Sequence, residues 1–272
     1  MELPELYIQK RGQPEVAVSD VSGLHFTGLT LQSPQPIENT LSAVAGVDGQ
    51  LMQGPISFGP RTATIGFYFE TNGEYDFQLA CHEAWKMLFS RSLIRFRDNR
   101  EPGLVMYGAV KPFDISRISY YDMTYSPEFE LLFPFRQTIQ PSDKLTSPEI
   151  GLNLLVDEMP PYHFTTTDFE VFNPSDIDIQ PWEQCHALTI TLKGSGTPKI
   201  ENETTGENFE LRRSISDGDV LCINGVSPIL NGTTIDKDTN HGTLILVQGK
   251  NHIVVTGCSN IDITFSFPFL YF

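Results

Sequence analysis

The residues of this 272-residue chain that could do chemistry are few and scattered, and their spacing limits what they could do. Six histidines (His25, His82, His163, His186, His241 and His252) sit in six different local contexts, and no GxSxG nucleophile elbow occurs. His186 follows Cys185, but neighbours on a strand point to opposite faces, so the pair cannot share a metal or a proton. These histidines therefore read as structural. Cys81, Cys185, Cys222 and Cys258 lack the CxxC or Cys-His spacing of a zinc site. They read as reduced, mostly buried thiols of a protein made inside a cell. Asp176/Asp178 and Asp217/Asp219 are carboxylates at alternate positions, whereas glycoside hydrolysis needs two carboxylates roughly 5–10 Å apart across a cleft. Asp217-Gly218-Asp219 is good turn material. The run Asp236-Lys237-Asp238-Thr239-Asn240-His241-Gly242 imitates the start of a calcium loop. Its glycine, however, comes one position late, and Val247 stands where a bidentate Glu is needed. A solvated hairpin turn is expected there.

Gly194-Ser195-Gly196-Thr197-Pro198 lacks the lysine and the following helix of a phosphate loop. Arg91, Arg95, Arg97 and Arg100 form a basic cluster interrupted by Asp98 and Glu101. It reads as a solvated hairpin face, with a protein contact as the other reading. No catalytic residue, cofactor or metal ligand is assigned, and the chain is not expected to be an enzyme. Two other functions stay in view. A glycan-binding, lectin-like module acting on a bacterial cell surface is suggested by Trp182 and Tyr162, although Trp182 is expected to be buried in a sandwich core. A hydrolase of envelope polymers would have to use the Asp pairs.

With 18 basic and 34 acidic residues the formal charge is −16, which excludes a general nucleic-acid binder. Nineteen Phe and nine Tyr exclude a disordered chain. No stretch reaches the ~18 apolar residues of a membrane helix. The first residues, with Glu2 and Glu5, do not read as a secretory signal, so the sequons at Asn202 and Asn231 are not expected to be glycosylated.

Short β-branched and aromatic runs between Gly and Pro punctuation predict strands at Thr62–Phe69, Leu104–Val110, Phe129–Phe133, Ala187–Leu192, Thr243–Val247 and Ile261–Phe265. Antiparallel sandwich architecture follows. One segment breaks the rule. From Tyr75 to Phe89, Phe77, Cys81, Ala84, Trp85 and Leu88 fall at helical spacing, with Asp76 as N-cap. Polar Gln137–Ser147 predicts a boundary between Pro134 and Pro161. The expectation is a mainly β chain of two antiparallel β-sandwich domains. The first, 1–140, carries a single amphipathic α-helix and has room for the chain's last residues to pack back on it; the second is 141–272. Net charge is −5 (11 basic, 16 acidic) before the boundary and −11 (7 basic, 18 acidic) after it.

Taken in order, four stretches carry a resemblance. They are the turn Val44-Ala45-Gly46-Val47-Asp48-Gly49 ahead of the strand Thr62–Phe69; the lone helix followed by Asp98-Asn99-Arg100-Glu101-Pro102-Gly103 and its strand; Phe129-Glu130-Leu131-Leu132-Phe133-Pro134-Phe135; and the end of the chain. That end runs through Gly218-Asp219-Val220-Leu221-Cys222-Ile223, the turn at Asn231-Gly232, Leu246-Val247-Gln248-Gly249-Lys250-Asn251-His252-Ile253, and Ile263-Thr264-Phe265 to Tyr271-Phe272. The chain resembles the distal tail proteins of long-tailed phages (siphophages) that infect Gram-positive bacteria, components of the tail tip or baseplate hub.

The resemblance implies a structural virion protein at the tail tip, synthesised in the bacterial host's cytoplasm, with a galectin-like second domain. Six copies would form a homo-hexameric ring joining the tail tube protein to hub, fibre or receptor-binding proteins. DNA would pass through its channel during ejection without specific binding, and no membrane insertion is implied. The family's large versions insert a carbohydrate-binding module in the second domain, for which about 130 residues leave no room. Six copies would carry 6 × (−16) = −96 charges, so a negative lumen would repel phosphate. Ring closure needs heterologous contacts. The low-charge segment Gln35–Pro60 holds Ile37, Leu41, Val44, Val47, Leu51, Met52 and Ile56. It reads either as an arm reaching an adjacent subunit or as a cover over its own core.

Overall fold

A computed structural model describes residues 3–37, 41–52, 54, 56–145 and 159–272, apart from the side chains of Leu41 and Glu74. The part of the expected linker beyond residue 145 lies outside the described residues. The chain divides into two compact units, Met1–Arg136 with Phe272, and Gln137–Tyr271. Both are mainly β and built from antiparallel pairs, as the alternation of apolar residues requires.

The strands of the first unit are β1 (Leu6–Gln9), β2 (Val16–Ala17), β3 (Leu24–Leu31), β4 (Leu41–Ser42), β5 (Leu51–Met52), β6 (Arg61–Glu70), β7 (Ile94–Asp98), β8 (Leu104–Val110), β9 (Ser116–Arg117), β10 (Asp122–Tyr125) and β11 (Glu128–Leu131), with one helix, α1 (Glu74–Leu88). The main sheet runs β2-β1-β7-β8-β11-β6-β10-β9, and β3 lies along β6. In β6 the residues Ala63, Ile65, Phe67 and Phe69 point inward, and Thr62, Thr64, Gly66 and Tyr68 alternate with them. Inward residues from β1, β3, β6, β7, β8, β10 and β11 share one core, to which α1 contributes Ala80, Ala84 and Leu88. The sheet therefore folds over as a sandwich with one helix.

Asp76 is not the N-cap. That position belongs to Gly73, at φ +140°, a region open to glycine and costly for any side chain. Asp76 stands three residues further on and accepts the Asn72 backbone N–H at 2.8 Å, closing the entry to the helix from within its first turn. At the other end of this unit the Phe272 ring packs on Phe58 and Phe135, with centroids 5.2 and 5.5 Å apart.

After β12 (Arg136–Thr138), the second unit contains β13 (His163–Phe164), β14 (Asp168–Asn173), β15 (Thr189–Asn202), β16 (Asn208–Glu210), β17 (Leu221–Asn224), β18 (Ser227–Leu230), β19 (Thr233–Thr234), β20 (Gly249–Ser266) and β21 (Leu270–Tyr271). Its spine is the long pair β15–β20, whose register shifts at Lys193/Ser195 and Gly196/Lys199. The glycine stretch 194–198 is thus the bulged middle of a strand rather than a loop. Bulges bend strands. The bend lets each strand serve two neighbours: β15 pairs with β17 before it and β16 after it, while β20 pairs with β14 before it and β13 after it.

Thr243–Val247 is not a strand, although Leu244 and Leu246 point inward as a strand pattern requires. Leu246 exchanges backbone hydrogen bonds with Ile179 in a single antiparallel bridge, at 2.9 and 3.0 Å, and side-chain amides supply much of the remaining bonding. Asn202 Nδ2 donates to the Ile245 carbonyl at 2.6 Å, and Asn173 Nδ2 to that of Leu246 at 3.0 Å. Asn251 Oδ1 accepts the Val247 N–H at 2.9 Å, and its Nδ2 donates back to the Val247 carbonyl at 2.8 Å. All three asparagines are fully buried. Asn202, which lies in a sequon, is therefore committed to the interior.

On the outer side of β14 and β20, His252 Nε2 lies 2.7 Å from Asp168 and Nδ1 lies 3.0 Å from Glu203. The hydrogen bond to Asp168, followed by the charges of Asp168 and Glu203, raises the imidazole pKa above its ordinary value. A raised folded-state pKa stabilises the fold fully below the ordinary histidine pKa, and that contribution is lost as pH rises through the folded value. The melting temperature of the native chain should therefore exceed that of His252→Gln at pH 5.5, and the gap should close by about pH 9. Parallel pH profiles would contradict the assignment.

Candidate functional site

The residues of chemical type are mostly spent on holding turns and strands. Asp219 accepts the Ser216 N–H at 2.8 Å and the Asn231 amide at 2.7 Å, contacts that hold its carboxyl below the usual range. Asp178 accepts the Gln248 N–H at 2.8 Å. In the calcium-like run, Asp236–Asp238 forms a 3-10 turn, and Asn240 turns inward: its Oδ1 accepts the N–H groups of Glu210 and Gly242, both at 2.9 Å. Among the described residues, no group of three or more His, Cys, Asp or Glu side chains is placed to hold a metal ion.

Cys185 and His186 lie in irregular backbone rather than on a strand, so the expected reason for their separation does not apply. Cys185 is exposed at φ +54°. His186 is buried with Nδ1 3.0 Å from the Asp178 carbonyl, and burial lowers its pKa. The four cysteines are free; Cys81 is buried, Cys222 and Cys258 are half-buried, and Cys185 is exposed.

The basic cluster is a solvated face only in part: Arg91 and Arg100 are exposed, whereas Arg95 and Arg97 are not. Arg95 and Arg97 share β7 with inward-pointing Ile94 and Phe96, and both guanidinium groups close on Glu15 at 2.9 and 2.6 Å. Arg97 also lies over the Tyr7 ring, 4.1 Å from its centroid. Two arginines around one carboxylate keep the Glu15 carboxyl ionised to lower pH than usual, against the opposing effect of its burial. Arg100 pairs with Asp98.

In the first unit an exposed apolar segment stands out. Between the Pro36–Phe58 bridge and the chain reversal at residues 43–50, β4 and β5 form a separate two-stranded ribbon, with Leu41 opposite Met52 and Ser42 opposite Leu51. Ile37, Val44, Val47, Leu51, Met52 and Ile56 are all exposed, from 38% for Ile37 to 61% for Met52. The backbone of Leu41 belongs to the ribbon; its side chain lies outside the described residues. A two-stranded ribbon is at best marginal in water, and among the described residues these side chains are not part of the buried core cluster of their unit.

Two further features of the first unit were not legible beforehand. Among the described residues β3 pairs only with β6, which leaves eight residues of strand edge open. Around α1, Tyr75, Leu79, Trp85 and Phe89 are exposed, as are Ile118, Tyr120 and Tyr121, and the Tyr120 ring stands beside Gly73 at the helix start. Open edges leave no sequence signal, and the aromatics around the helix resembled core material by type.

Trp182, expected in the core of the second unit, is 67% exposed. It follows Pro181 and precedes Glu183 in a turn, where no alternating pattern aims it inward. Tyr162 is buried, and its hydroxyl donates to the Phe172 carbonyl at 2.8 Å.

No protein-family model matches the chain, and no curated protein sequence matches it significantly. Solved structures do. The SPP1 Dit (gp 19.1) protein, described as a paradigm of the hub adsorption apparatus in Gram-positive infecting phages, is 14% identical. That match covers 99% of this chain and 100% of the other, with a TM-score of 0.64. A chain of the phage p2 baseplate, in its activated conformation with Sr, is 9% identical over 98% of both chains, with a TM-score of 0.47. The chain shares the fold of the SPP1 protein along its whole length.

Because the ribbon contributes so little to its own unit, Leu51→Asp combined with Met52→Asp should change the unfolding free energy of the isolated chain by less than about 0.5 kcal/mol. A loss of several kcal/mol in urea titration would show that the ribbon covers its own core.

Proposed function

We propose that this chain is a distal tail protein: a structural subunit of a phage tail tip, six copies of which close into a ring joining the tail tube to hub and host-recognition proteins. The observation that carries the reading is the end-to-end fold match to SPP1 Dit, over 99% of one chain and all of the other. Both units are matched, so the likeness is not that of one common sandwich.

The surface of the first unit supports the same reading. A cyclic ring requires each copy to present two different, mutually complementary patches. The apolar ribbon of residues 37–56 is suited to be one of them, an arm laid on the neighbouring copy. The open edge of β3 and the aromatics around α1 are suited to receive it, since strand edges and apolar patches are what assembly covers. Charge fits the passage of DNA. In six copies the −96 total would repel phosphate, and three of the four clustered arginines are already paired with Glu15 or Asp98. The role is mechanical. One carboxylate of each alternate pair, Asp178 and Asp219, accepts a backbone N–H, and no reaction is assigned to the chain.

Electron-microscope class averages of the purified protein at tens of micromolar, or of tail tips carrying it, should give sixfold rings with a central hole. Leu51→Asp with Met52→Asp should give single 30.5 kDa subunits that melt like the native chain. Rings of the double variant equal in yield to the native ones would remove the arm from the account. A protein absent from immunolabelled tail tips would overturn the function itself.

A further inference from the structure

The second unit carries a feature that ring building does not use. A cleft of about 620 Å3 lies beside Trp182, with Phe209 and Pro228 buried at its base and Ser227, Asp236, His241 and Thr243 around it. Its size falls within the range of small-molecule sites. Trp182 is 67% exposed, so most of the largest apolar side chain of this unit faces water.

The cleft is preformed. Asn240 fastens its rim: Oδ1 accepts two backbone N–H groups, and Nδ2 donates to Asn208 Oδ1 at 2.9 Å. Thr239 Oγ1 donates to the Asp236 carbonyl at 2.9 Å and accepts the His241 N–H at 3.2 Å. Gly242 packs so tightly that a Cβ there would fall 1.9 Å from the Asn208 carbonyl oxygen. With the rim held by these bonds, the functional groups beside the indole remain unspent. Among the described residues, the Asp236 carboxylate, the His241 ring and the hydroxyls of Ser227 and Thr243 make no hydrogen bond or ion pair within the chain.

We infer that this cleft is a binding site for an uncharged sugar, a hexopyranose or N-acetylhexosamine unit whose apolar ring face stacks on Trp182 while its hydroxyls bond to Asp236, His241, Ser227 and Thr243. A flat aromatic beside unengaged donors and acceptors carried on a hydrogen-bonded rim matches a ligand that is apolar on one face and polar at its rim. The sign of the charge narrows the class. No Lys or Arg lines the cleft and a carboxylate does, in a half of the chain with net charge −11 (7 basic, 18 acidic), so phosphate- or carboxylate-bearing glycans are disfavoured. Asp236 would accept hydrogen bonds from two sugar hydroxyls, the charge-assisted kind that gives a polar ligand most of its specificity. The inference does not depend on ring assembly and holds for a monomer as well.

The test uses the full chain against a panel of neutral hexose and N-acetylhexosamine oligosaccharides, with phosphorylated and uronic-acid oligosaccharides beside them, followed by calorimetric titration of the best binder. At least one neutral oligosaccharide should bind, and Trp182→Ala should weaken it by about tenfold or more. Trp182→Phe should keep part of the affinity, and Asp236→Asn should weaken it with the melting temperature unchanged. Because Trp182 is exposed, Trp182→Ala should melt like the native chain, so loss of binding is not loss of fold. The inference is overturned if no neutral oligosaccharide binds at about 10 mM. It is equally overturned if Trp182→Ala binds as the native chain does, if the anionic glycans bind best, or if Trp182→Ala disrupts only the association of the chain with a protein.

Discussion

Apolar side chains held in water on a strip of chain too thin to bury them are the constraint from which this account proceeds. In the ribbon between Pro36 and Phe58, two residues on each strand pair and six apolar side chains face outward. Covering a half-exposed aliphatic side chain stabilises by roughly 1 kcal/mol, so six of them represent several kcal/mol available to whatever surface receives the ribbon. Among the described residues, the same side chains lie outside the core cluster of the unit that carries them. In the proposed ring, each copy would extend one such element and accept another.

The rest of the first unit is paired and packed around one core. The central strand β6 starts directly after the ribbon and is paired along both sides, by β3 on one and by β11 and then β10 on the other. Its inward residues reach the helix residues Ala80, Ala84 and Leu88 through a single core. Charge is settled locally as well: Glu15 answers Arg95 and Arg97, and Asp98 answers Arg100, so the excess of acid over base is not offset by an exposed basic patch at that cluster. These pairs make the conduit reading electrostatically coherent, since phosphate would find no cluster of free cations there.

Much of the fold was legible because burial imposes a period. Alternation over Thr62–Phe69 and Leu104–Val110 marked strands that the structure places at Arg61–Glu70 and Leu104–Val110, and the 3.6-residue spacing of Cys81, Ala84 and Leu88 marked α1. Illegible features were those in which a side chain replaces backbone or a residue escapes its usual environment. Thr243–Val247 alternates like a strand, but its backbone pairing is limited to one bridge with Ile179 and is supplemented by Asn173, Asn202 and Asn251 side chains, and no local pattern announces that. Asp76 has the right type for an N-cap, yet only Gly73 can adopt the backbone that starts the helix. Trp182 reads as core by type, while its setting between Pro181 and Glu183 exposes it. Of the proposed assembly surface, the apolar segment was visible from its composition; the β3 edge was not, because pairing partners are a property of topology.

The most direct measurement is a photo-crosslinking experiment on mixed isotopes. A photoreactive residue is placed at position 52 in an equal mixture of light- and heavy-nitrogen chains, assembled to rings and irradiated. Crosslinked peptides should pair a light with a heavy chain, with the receiving peptide drawn from β3 or from the surroundings of α1. Crosslinks confined to single chains, light with light and heavy with heavy, would mean that the ribbon folds back on its own subunit, and would contradict the account at its root.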